Sequence, residues 1–126
     1  MNNNNTNTNT NTIQAFSILG EPASKSNSRR AVLIKGKMRF IKSQKALNYS
    51  SMFKQQCNSN LKILSGDVVI EIKIFYASRR PDLDESLILD LLQGVVYEND
   101  RQVKEKHIIW GLDKENPRAE IKVWER

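Results

Sequence analysis

The chain has 126 residues, 39% hydrophobic and 27% charged, and this length and composition suit one small globular domain. No apolar run approaches the roughly 20 residues that a membrane-spanning helix needs, which argues against a membrane protein. The formal net charge of +6 is unevenly distributed along the chain.

The two halves of the chain differ in charge. Residues 1–66 carry ten Lys or Arg residues against Glu21 alone, whereas residues 67–126 carry ten against thirteen Asp or Glu residues. A basic half joined to a carboxylate-rich half suggests a protein that binds phosphate groups around a site that needs acidic side chains. Ordinary solvated surface charge is the alternative explanation for the individual lysines.

The chain opens on a polar low-complexity segment, MNNNNTNTNTNT. Its composition predicts a disordered Asn/Thr-rich tail over residues 1–12, and it lacks the charged and apolar regions of a secretory signal. A single folded domain is expected over residues 13–126. Its only cysteine, Cys57, allows no internal disulfide and indicates a reducing, cytosolic setting.

Three strands are predicted in the first third of the domain. IQAFSIL, residues 13–19, reads as a first strand that ends at Gly20, and the basic loop GEPASKSNSRR follows it. AVLIKGKMRFI indicates two further short strands joined by a hairpin turn at Gly36-Lys37.

A helix and a long strand come next. Ser43 is expected to cap a helix from about Gln44 to about Leu61, because apolar residues recur there at three- and four-residue steps. DVVIEIKIFY, residues 67–76, then alternates between apolar and polar side chains, which predicts a half-buried strand.

An acidic turn follows this strand in the stretch RRPDLDESLILDLLQGVVYENDRQV, residues 79–103. Pro81 favours an extended chain just before the turn, so Asp82 and Asp84 emerge from the strand before a helix can begin. Because they lie two residues apart on an extended chain, these two carboxylates project to the same side and can share one ligand.

A helix is predicted from about Glu85 to about Gln93, with Gly94 as the residue that ends it. A reversal at Gly94 followed by an extended chain would bring Asp100 back level with the start of this helix, so that three carboxylates could converge. The apolar face of the helix, within residues 87–92, suits either the protein core or a dimer interface.

Converging carboxylates repel one another unless they take up a proton, pair with arginine or bind a hard divalent cation. In a basic protein, Mg²⁺ held by oxygen ligands would polarise a phosphodiester and generate a hydroxide-like nucleophile. Metal-dependent phosphodiester hydrolysis therefore fits the arrangement best. The alternatives are structural: a helix cap at Asp84, an ion pair between Asp82 and an adjacent arginine, and a turn at Asp100.

Two closing strands are predicted from RQVKEKHIIWGL and AEIKVWER, separated by a DKENP turn. His107 is expected in the core or on a sheet face rather than as a catalytic base. Trp110 and Trp124 are interpreted as core or interface aromatics without a part in the mechanism.

The order of these motifs resembles one known family. The GEPASKSNSRR loop, the RRPDLDE turn and the LILDLLQGVVYENDRQV segment together resemble the RusA family of Holliday-junction resolvases, most specifically over residues 81–103. The resemblance implies an α+β (mixed α/β) domain with a mixed sheet of about five strands packed with two helices. It also implies a Mg²⁺-dependent endonuclease, with Mn²⁺ as a substitute, that resolves Holliday junctions and related branched DNA by paired symmetric nicks.

Carried over to this sequence, Asp82, Asp84 and Asp100 match the metal-binding catalytic aspartates of the family. The lysine that the family places on its early helix has no counterpart, because residues 86–88 read Ser-Leu-Ile. Glu85 stands where the family usually has asparagine, and it would either extend the metal site or lie exposed at the helix start. The residues hypothesised to replace the missing cation are Lys25, Arg79 and Lys104.

The resemblance further implies a homodimer, which suits the near-two-fold symmetry of a four-way junction, and a phage or prophage protein acting in the bacterial cytoplasm. Phosphate contacts are expected to dominate DNA binding. The residues expected to make them are Lys25, Arg29, Arg30, Arg79 and Arg80. The missing helix lysine keeps a second hypothesis open, a catalytically weakened protein that binds junction or duplex DNA.

Overall fold

The structure, a computed structural model, describes residues 12–126, so the predicted tail over residues 1–12 lies outside the described residues except for Thr12. Within that range the strands are β1 (Gln14–Leu19), β2 (Arg29–Ile34), β3 (Lys37–Lys42), β4 (Val68–Tyr76), β5 (Val103–Leu112) and β6 (Arg118–Glu125). The α-helices are α1 (Gln44–Gln56) and α2 (Ser86–Leu92), and short 3₁₀ turns cover Lys25–Asn27 and Asp100–Gln102. No helix in this part of the chain has the length and apolar character needed to cross a bilayer.

A four-stranded mixed sheet, in the order β1-β6-β4-β5, forms the centre of the domain. β6 pairs antiparallel with both β1 and β4, whereas β4 and β5 are parallel. Parallel neighbours need a crossover connection, and the segment that carries α2 provides it. The predicted α+β class is confirmed. The hairpin strands β2 and β3 form a sheet of their own, so the described chain has six strands in two sheets instead of about five in one.

The hydrophobic core is built on β4. Alternate residues of this strand, from Val68 to Tyr76, are buried, as the apolar–polar alternation predicts. α1 contributes Tyr49 and Phe53 to the same cluster, and α2 contributes its whole apolar face. The buried residues of α2 are Leu87, Ile88, Leu91 and Leu92. Because this face packs inside the domain, it is not available as the dimer interface that was the other hypothesis for it.

The first helix begins as predicted and ends early. The side chain of Ser43 accepts a hydrogen bond from the backbone N–H of Ala46 at 3.2 Å and caps α1. The helix stops at Gln56, five residues before Leu61, and Cys57 is already extended. Beyond it the Asn58 side chain accepts from the backbone N–H of Asn60 at 2.8 Å. Such local side-chain bonds compete with helix continuation.

The β2–β3 hairpin turns one residue earlier than predicted. Lys35 and Gly36 have φ angles of 50° and 79°, so both central residues are left-handed, as in the turns that suit two-residue hairpins. The strands then pair from Ile34 with Lys37 outward. The sequence pointed to Gly36-Lys37 because glycine is the usual residue with positive φ, but here lysine shares that role.

Gly94 ends α2 and reverses the chain. Its φ is +84°, and its backbone N–H donates to the Tyr97 carbonyl at 2.7 Å. The N–H groups of Val95 and Val96 both donate to the Leu92 carbonyl, at 2.9 and 3.1 Å, so the chain beyond the helix is a compact turn. The extended return path that was expected after Gly94 is therefore not taken.

We expect Gly94→Ala to lower the free energy of unfolding by about 1 kcal/mol, because an L residue is strained at positive φ. No atom lies within 4 Å of the position that the new Cβ would occupy, so the cost is one of backbone conformation alone. Gly66→Ala is the matched control, since its Cβ also meets open space and its φ is not positive. Urea unfolding should show a loss of stability only for Gly94→Ala. Equal midpoints for both variants would contradict the role of positive φ at Gly94.

Candidate functional site

A groove with a volume of about 870 Å³ lies where β4 ends, between the loop after β1 and the turn that leads into α2. Both charge signs meet in its lining. The carboxylates there belong to Glu21, Asp82 and Asp84, and the cations to Lys25, Lys45 and Arg80. The basic and acidic halves of the chain thus come together at this end of the sheet.

Tyr76, the last residue of β4, holds the acidic turn in place. Its hydroxyl donates to the Asp82 carbonyl at 3.2 Å and accepts from the Asp84 N–H at 3.3 Å. Burial raises the pKa of Tyr76, and the nearby carboxylates add to this increase. The hydroxyl therefore stays protonated and bridges the backbone of both aspartates.

Trp110 supports the same turn from β5. Its indole ring stacks on Tyr76 with a centroid separation of 5.9 Å, and its Nε1–H donates to the Pro81 carbonyl at 3.1 Å. The sequence predicted no part for Trp110 in the mechanism, whereas in the structure it supports the acidic turn. A partly buried tryptophan N–H requires an acceptor, but the sequence does not say that the acceptor is the acidic turn.

The Asp84 carboxylate is held by donors on both oxygens. Oδ2 accepts from the backbone N–H of Lys25 at 2.6 Å, and Oδ1 accepts from the N–H and hydroxyl of Ser86 at 2.9 and 2.6 Å. Partial burial raises the pKa of Asp84, but these hydrogen bonds outweigh it and hold the pKa below its usual value. The carboxylate is therefore ionised at neutral pH. As the capping alternative predicts, the Asp84 side chain accepts a hydrogen bond from a backbone N–H at the start of α2. The N-cap residue itself, however, is Glu85.

Asp82 is exposed at the same groove, and its side chain has no hydrogen-bond or ion-pair partner within residues 12–126. The alternative in which Asp82 pairs with Arg79 or Arg80 is not seen. Its carboxylate oxygens therefore remain open to a ligand that enters the groove, and only its backbone carbonyl is fixed, by Tyr76.

Asp100 lies apart from the other two aspartates. It is exposed, its backbone N–H donates to the Gln93 side chain at 3.0 Å, and it lines a separate small pocket with Leu89 and Lys104. In the described part of the chain, no three His, Cys, Asp or Glu side chains are close enough together to hold a metal ion. The expected convergence of all three carboxylates is absent because the compact turn after Gly94 leaves Asp100 beside the end of α2.

Glu85 has a partner that the sequence did not suggest. Its Oε2 accepts from Lys106 Nζ at 2.6 Å, and the Glu85 side chain is only 18% exposed. This ion pair links the start of α2 to β5, so Glu85 is neither a free ligand nor a solvated residue. Finding Lys106 from the sequence would have required the parallel pairing of β4 with β5, which no local motif encodes.

The position of the missing helix lysine offers no cation. Residues 86–88 begin α2, and Ile88 is fully buried in the core. Of the three hypothesised replacements, Lys25 lines the groove, whereas Lys104 lines the pocket beside Asp100 and Arg79 is exposed outside the groove lining. A catalytic role for any of them stays a prediction.

The five residues expected to contact DNA are all exposed, on two segments that border the groove. Lys25 begins the 3₁₀ turn and Arg29 and Arg30 begin β2, while Arg79 and Arg80 lie between β4 and the acidic turn. His107 is exposed on β5 and contacts Glu105 at 2.8 Å, in agreement with the sheet-face interpretation.

The chain matches a known protein family. The profile of the family described as endodeoxyribonuclease RusA matches residues 20–124, which is most of the chain. No curated protein matches the chain. The match begins at the loop after β1 and ends within β6, so it includes both walls of the groove.

Tyr76→Phe should destabilise the protein by about 1–2 kcal/mol, because it removes one donor and one acceptor from the backbone of the acidic turn. Tyr49→Phe is the matched control, since the buried Tyr49 hydroxyl has no hydrogen-bond partner in the described structure. Removing an unpaired buried hydroxyl is expected to be neutral or stabilising. Urea unfolding measures the free energy of unfolding of both variants. If Tyr49→Phe lowers it as much as Tyr76→Phe does, the bridging role of the Tyr76 hydroxyl is contradicted.

Ser86→Ala tests the hydrogen bonding of Asp84 through pH. With a lowered folded-state pKa, Asp84 contributes stability above the pKa of the unfolded chain and loses it as pH falls through the folded pKa. The variant should be about 1 kcal/mol less stable at neutral pH, a value reduced for solvent screening, and the difference should shrink below about pH 4. Urea unfolding from pH 7 to pH 2.5 measures this. Ser51→Ala, at an exposed position of α1, should show no such pH dependence.

Proposed function

Since this chain belongs to the RusA family of endodeoxyribonucleases, we propose that it is a Mg²⁺-dependent nuclease that resolves four-way DNA junctions by paired symmetric nicks. The observation that carries this proposal is the groove, in which Asp82 and Asp84 lie beside Lys25 and Arg80. Carboxylates for a hard cation and side chains for phosphate are thus available to the same ligand.

The donor types in the groove suit magnesium, with manganese as a substitute. Asp82 offers open carboxylate oxygens, and Asp84 is kept ionised by its hydrogen bonds. When bound, Mg²⁺ would polarise the scissile phosphate and lower the pKa of a water molecule. The contribution of the chain is to fix the acidic turn through Tyr76 and Trp110, and to neutralise the DNA backbone with Lys25 and Arg80.

Asp100 is proposed as a third ligand on the strength of the family resemblance, but it has to approach from its neighbouring pocket. We therefore expect Asp100→Asn to impair cleavage less than Asp82→Asn does. Paired nicking also needs two sites at once, so the proposed active species is a two-fold symmetric homodimer.

A second candidate function is binding of branched DNA without efficient cleavage. Two observations favour it. The described residues contain no cluster of three metal-binding side chains. Residues 86–88, where the family has its helix lysine, carry no cation. A cation near the scissile phosphate would stabilise developing charge, so its absence from α2 is expected to slow the reaction.

A synthetic four-way junction, end-labelled on each strand in turn and incubated with and without Mg²⁺, separates the two functions. We expect symmetric paired nicks that require Mg²⁺ and that fall by at least about 100-fold in Asp82→Asn, as for the loss of a group that stabilises transition-state charge. Asp67→Asn is the control, because Asp67 is exposed and lies at the opposite end of β4.

Binding of the same junction is measured in parallel by gel shift, so that a folded, binding-competent Asp82→Asn protein can be recognised. Nicking that persists without Mg²⁺ or in Asp82→Asn would overturn the metal proposal. Tight junction binding by the wild-type protein with no nicks would support the second function instead.

A further inference from the structure

The β2–β3 hairpin lies in a segment of unusual charge. Residues 22–66 contain ten Lys or Arg residues and not one Asp or Glu. Six of these cations are exposed on the hairpin itself, and no carboxylate from the hairpin offsets them. They are Arg29, Arg30, Lys35, Lys37, Arg39 and Lys42. The hairpin therefore carries a concentrated positive field whose natural partner is a polyanion.

The two faces of the hairpin differ in chemistry. The strand register pairs Leu33 with Met38 and Ala31 with Phe40, so these residues share one face. Leu33, Met38 and Phe40 are 71%, 63% and 68% exposed. The opposite face carries three of the cations among β-branched side chains, of which Ile34 and Ile41 are exposed to a smaller extent, 44% and 37%. Those cations are Arg30, Lys37 and Arg39.

The positive charge and the exposed apolar face of the hairpin both indicate that it binds a partner. A two-stranded hairpin on its own is marginally stable in water, and β2 and β3 pair with no other strand among residues 12–126. Large apolar side chains grouped on an exposed face mark a surface that is covered in use.

Two partners could cover such a face, a second copy of the chain or DNA, and the charge of the hairpin favours DNA. A second copy of the chain docked face to face would bring two sets of cations together, and Arg29 and Lys42 flank the apolar residues on that same face. DNA instead supplies phosphates for the cations. A two-stranded ribbon fits the major groove, and exposed Phe, Leu and Met side chains can contact bases that are unstacked.

The root of the hairpin is tied to the groove that contains the aspartates. The backbone N–H of Ser43 donates to the Ser28 carbonyl at 2.8 Å, and its hydroxyl donates to the Asn27 carbonyl at 2.6 Å. The same short segment includes Lys25, whose backbone N–H donates to Asp84. A nucleic acid lying along the hairpin would thus continue directly toward the acidic turn.

We propose that the β2–β3 hairpin is a DNA-binding arm, in which the cations hold phosphates and the face formed by Leu33, Met38 and Phe40 packs against unstacked bases at a branch point. The choice of DNA as the polyanion rests on the proposed function. The arm itself adds a binding surface outside the groove and a reason for preferring branched DNA over continuous duplex.

The charged face is tested with the full-length double variant Arg30→Gln/Arg39→Gln. Binding to a four-way junction is measured in EDTA, so that no cleavage can occur, over a series of salt concentrations. The affinity should fall by about tenfold or more, and the slope of log K against log salt should decrease by about 2, because two phosphate contacts are lost. The matched control Lys54→Gln/Lys62→Gln removes two cations of the same acid-free segment that lie outside the hairpin, and it should change affinity less than about twofold.

The apolar face is tested with Phe40→Thr, which preserves strand propensity. The variant should bind the four-way junction about tenfold more weakly, as for loss of one base-stacking contact, and bind linear duplex nearly as well as wild type. Circular dichroism and unfolding midpoints establish that each variant is folded. Unchanged junction affinity in both hairpin variants would overturn the arm, whether or not the protein cuts DNA.

Two further outcomes distinguish the DNA-binding arm from self-association of the chain and from the proposed nuclease function. If Phe40→Thr changes the sedimentation coefficient of the free protein while leaving DNA affinity per protomer unchanged, a second copy covers the face and the arm is overturned. If junction binding depends on the hairpin but wild-type protein makes no nicks with Mg²⁺, the arm stands and the proposed nuclease function fails.

Discussion

The hydroxyl group of Tyr76 is the point from which the site is organised. It belongs to a side chain anchored in the core at the end of the central strand, yet it bonds to the backbone on both sides of Leu83. Without it, the acidic turn would be a surface loop following a proline. With it, two carboxylates are attached to a buried interior strand of the sheet, and Trp110 carries the same restraint across to β5. Precise placement of such groups depends on rigid support of this kind.

The hydrogen bonds to Asp84 give this carboxylate two opposed properties. They keep it charged, as a carboxylate that binds a cation should be, and they occupy three of its roughly four lone-pair sites. Oδ1 accepts two of these bonds and Oδ2 only one, so the site that remains for a cation is on Oδ2, beside the Lys25 N–H. The neighbouring Asp82 has no such competitors in the described structure. The two aspartates are therefore unequal, since Asp84 is held by three hydrogen bonds and the carboxylate of Asp82 is open.

Local chemistry in the sequence was sufficient for much of the fold. The alternation in β4, the serine cap of α1 and the glycine after α2 each depend on neighbouring residues, and each was predicted correctly. Errors arose where a side chain or a distant strand decides the outcome. The Asn58 side chain helps to end α1 early, and Lys35 adopts the left-handed conformation expected only of glycine.

In the candidate site, too, features set by neighbouring residues were predicted and features set by distant residues were not. Asp82 and Asp84 were placed in one site because two residues on an extended chain share a side. The position of Asp100 was not foreseeable, since it depends on a compact turn and on a hydrogen bond that its backbone N–H donates to the Gln93 side chain. The Glu85–Lys106 pair and the Trp110–Pro81 bond both follow from the parallel packing of β5 against β4. Only a known register reveals such partners.

The position of β6 between β1 and β4 has a consequence for the biosynthesis of the protein. One wall of the groove follows β1 and the other follows β4, and the two strands are joined only through the strand that the ribosome makes last among those described. The β2–β3 hairpin is synthesised before β6, but an isolated two-stranded hairpin is only marginally stable. The sheet that positions both walls of the groove is therefore completed only after β6 has left the ribosome.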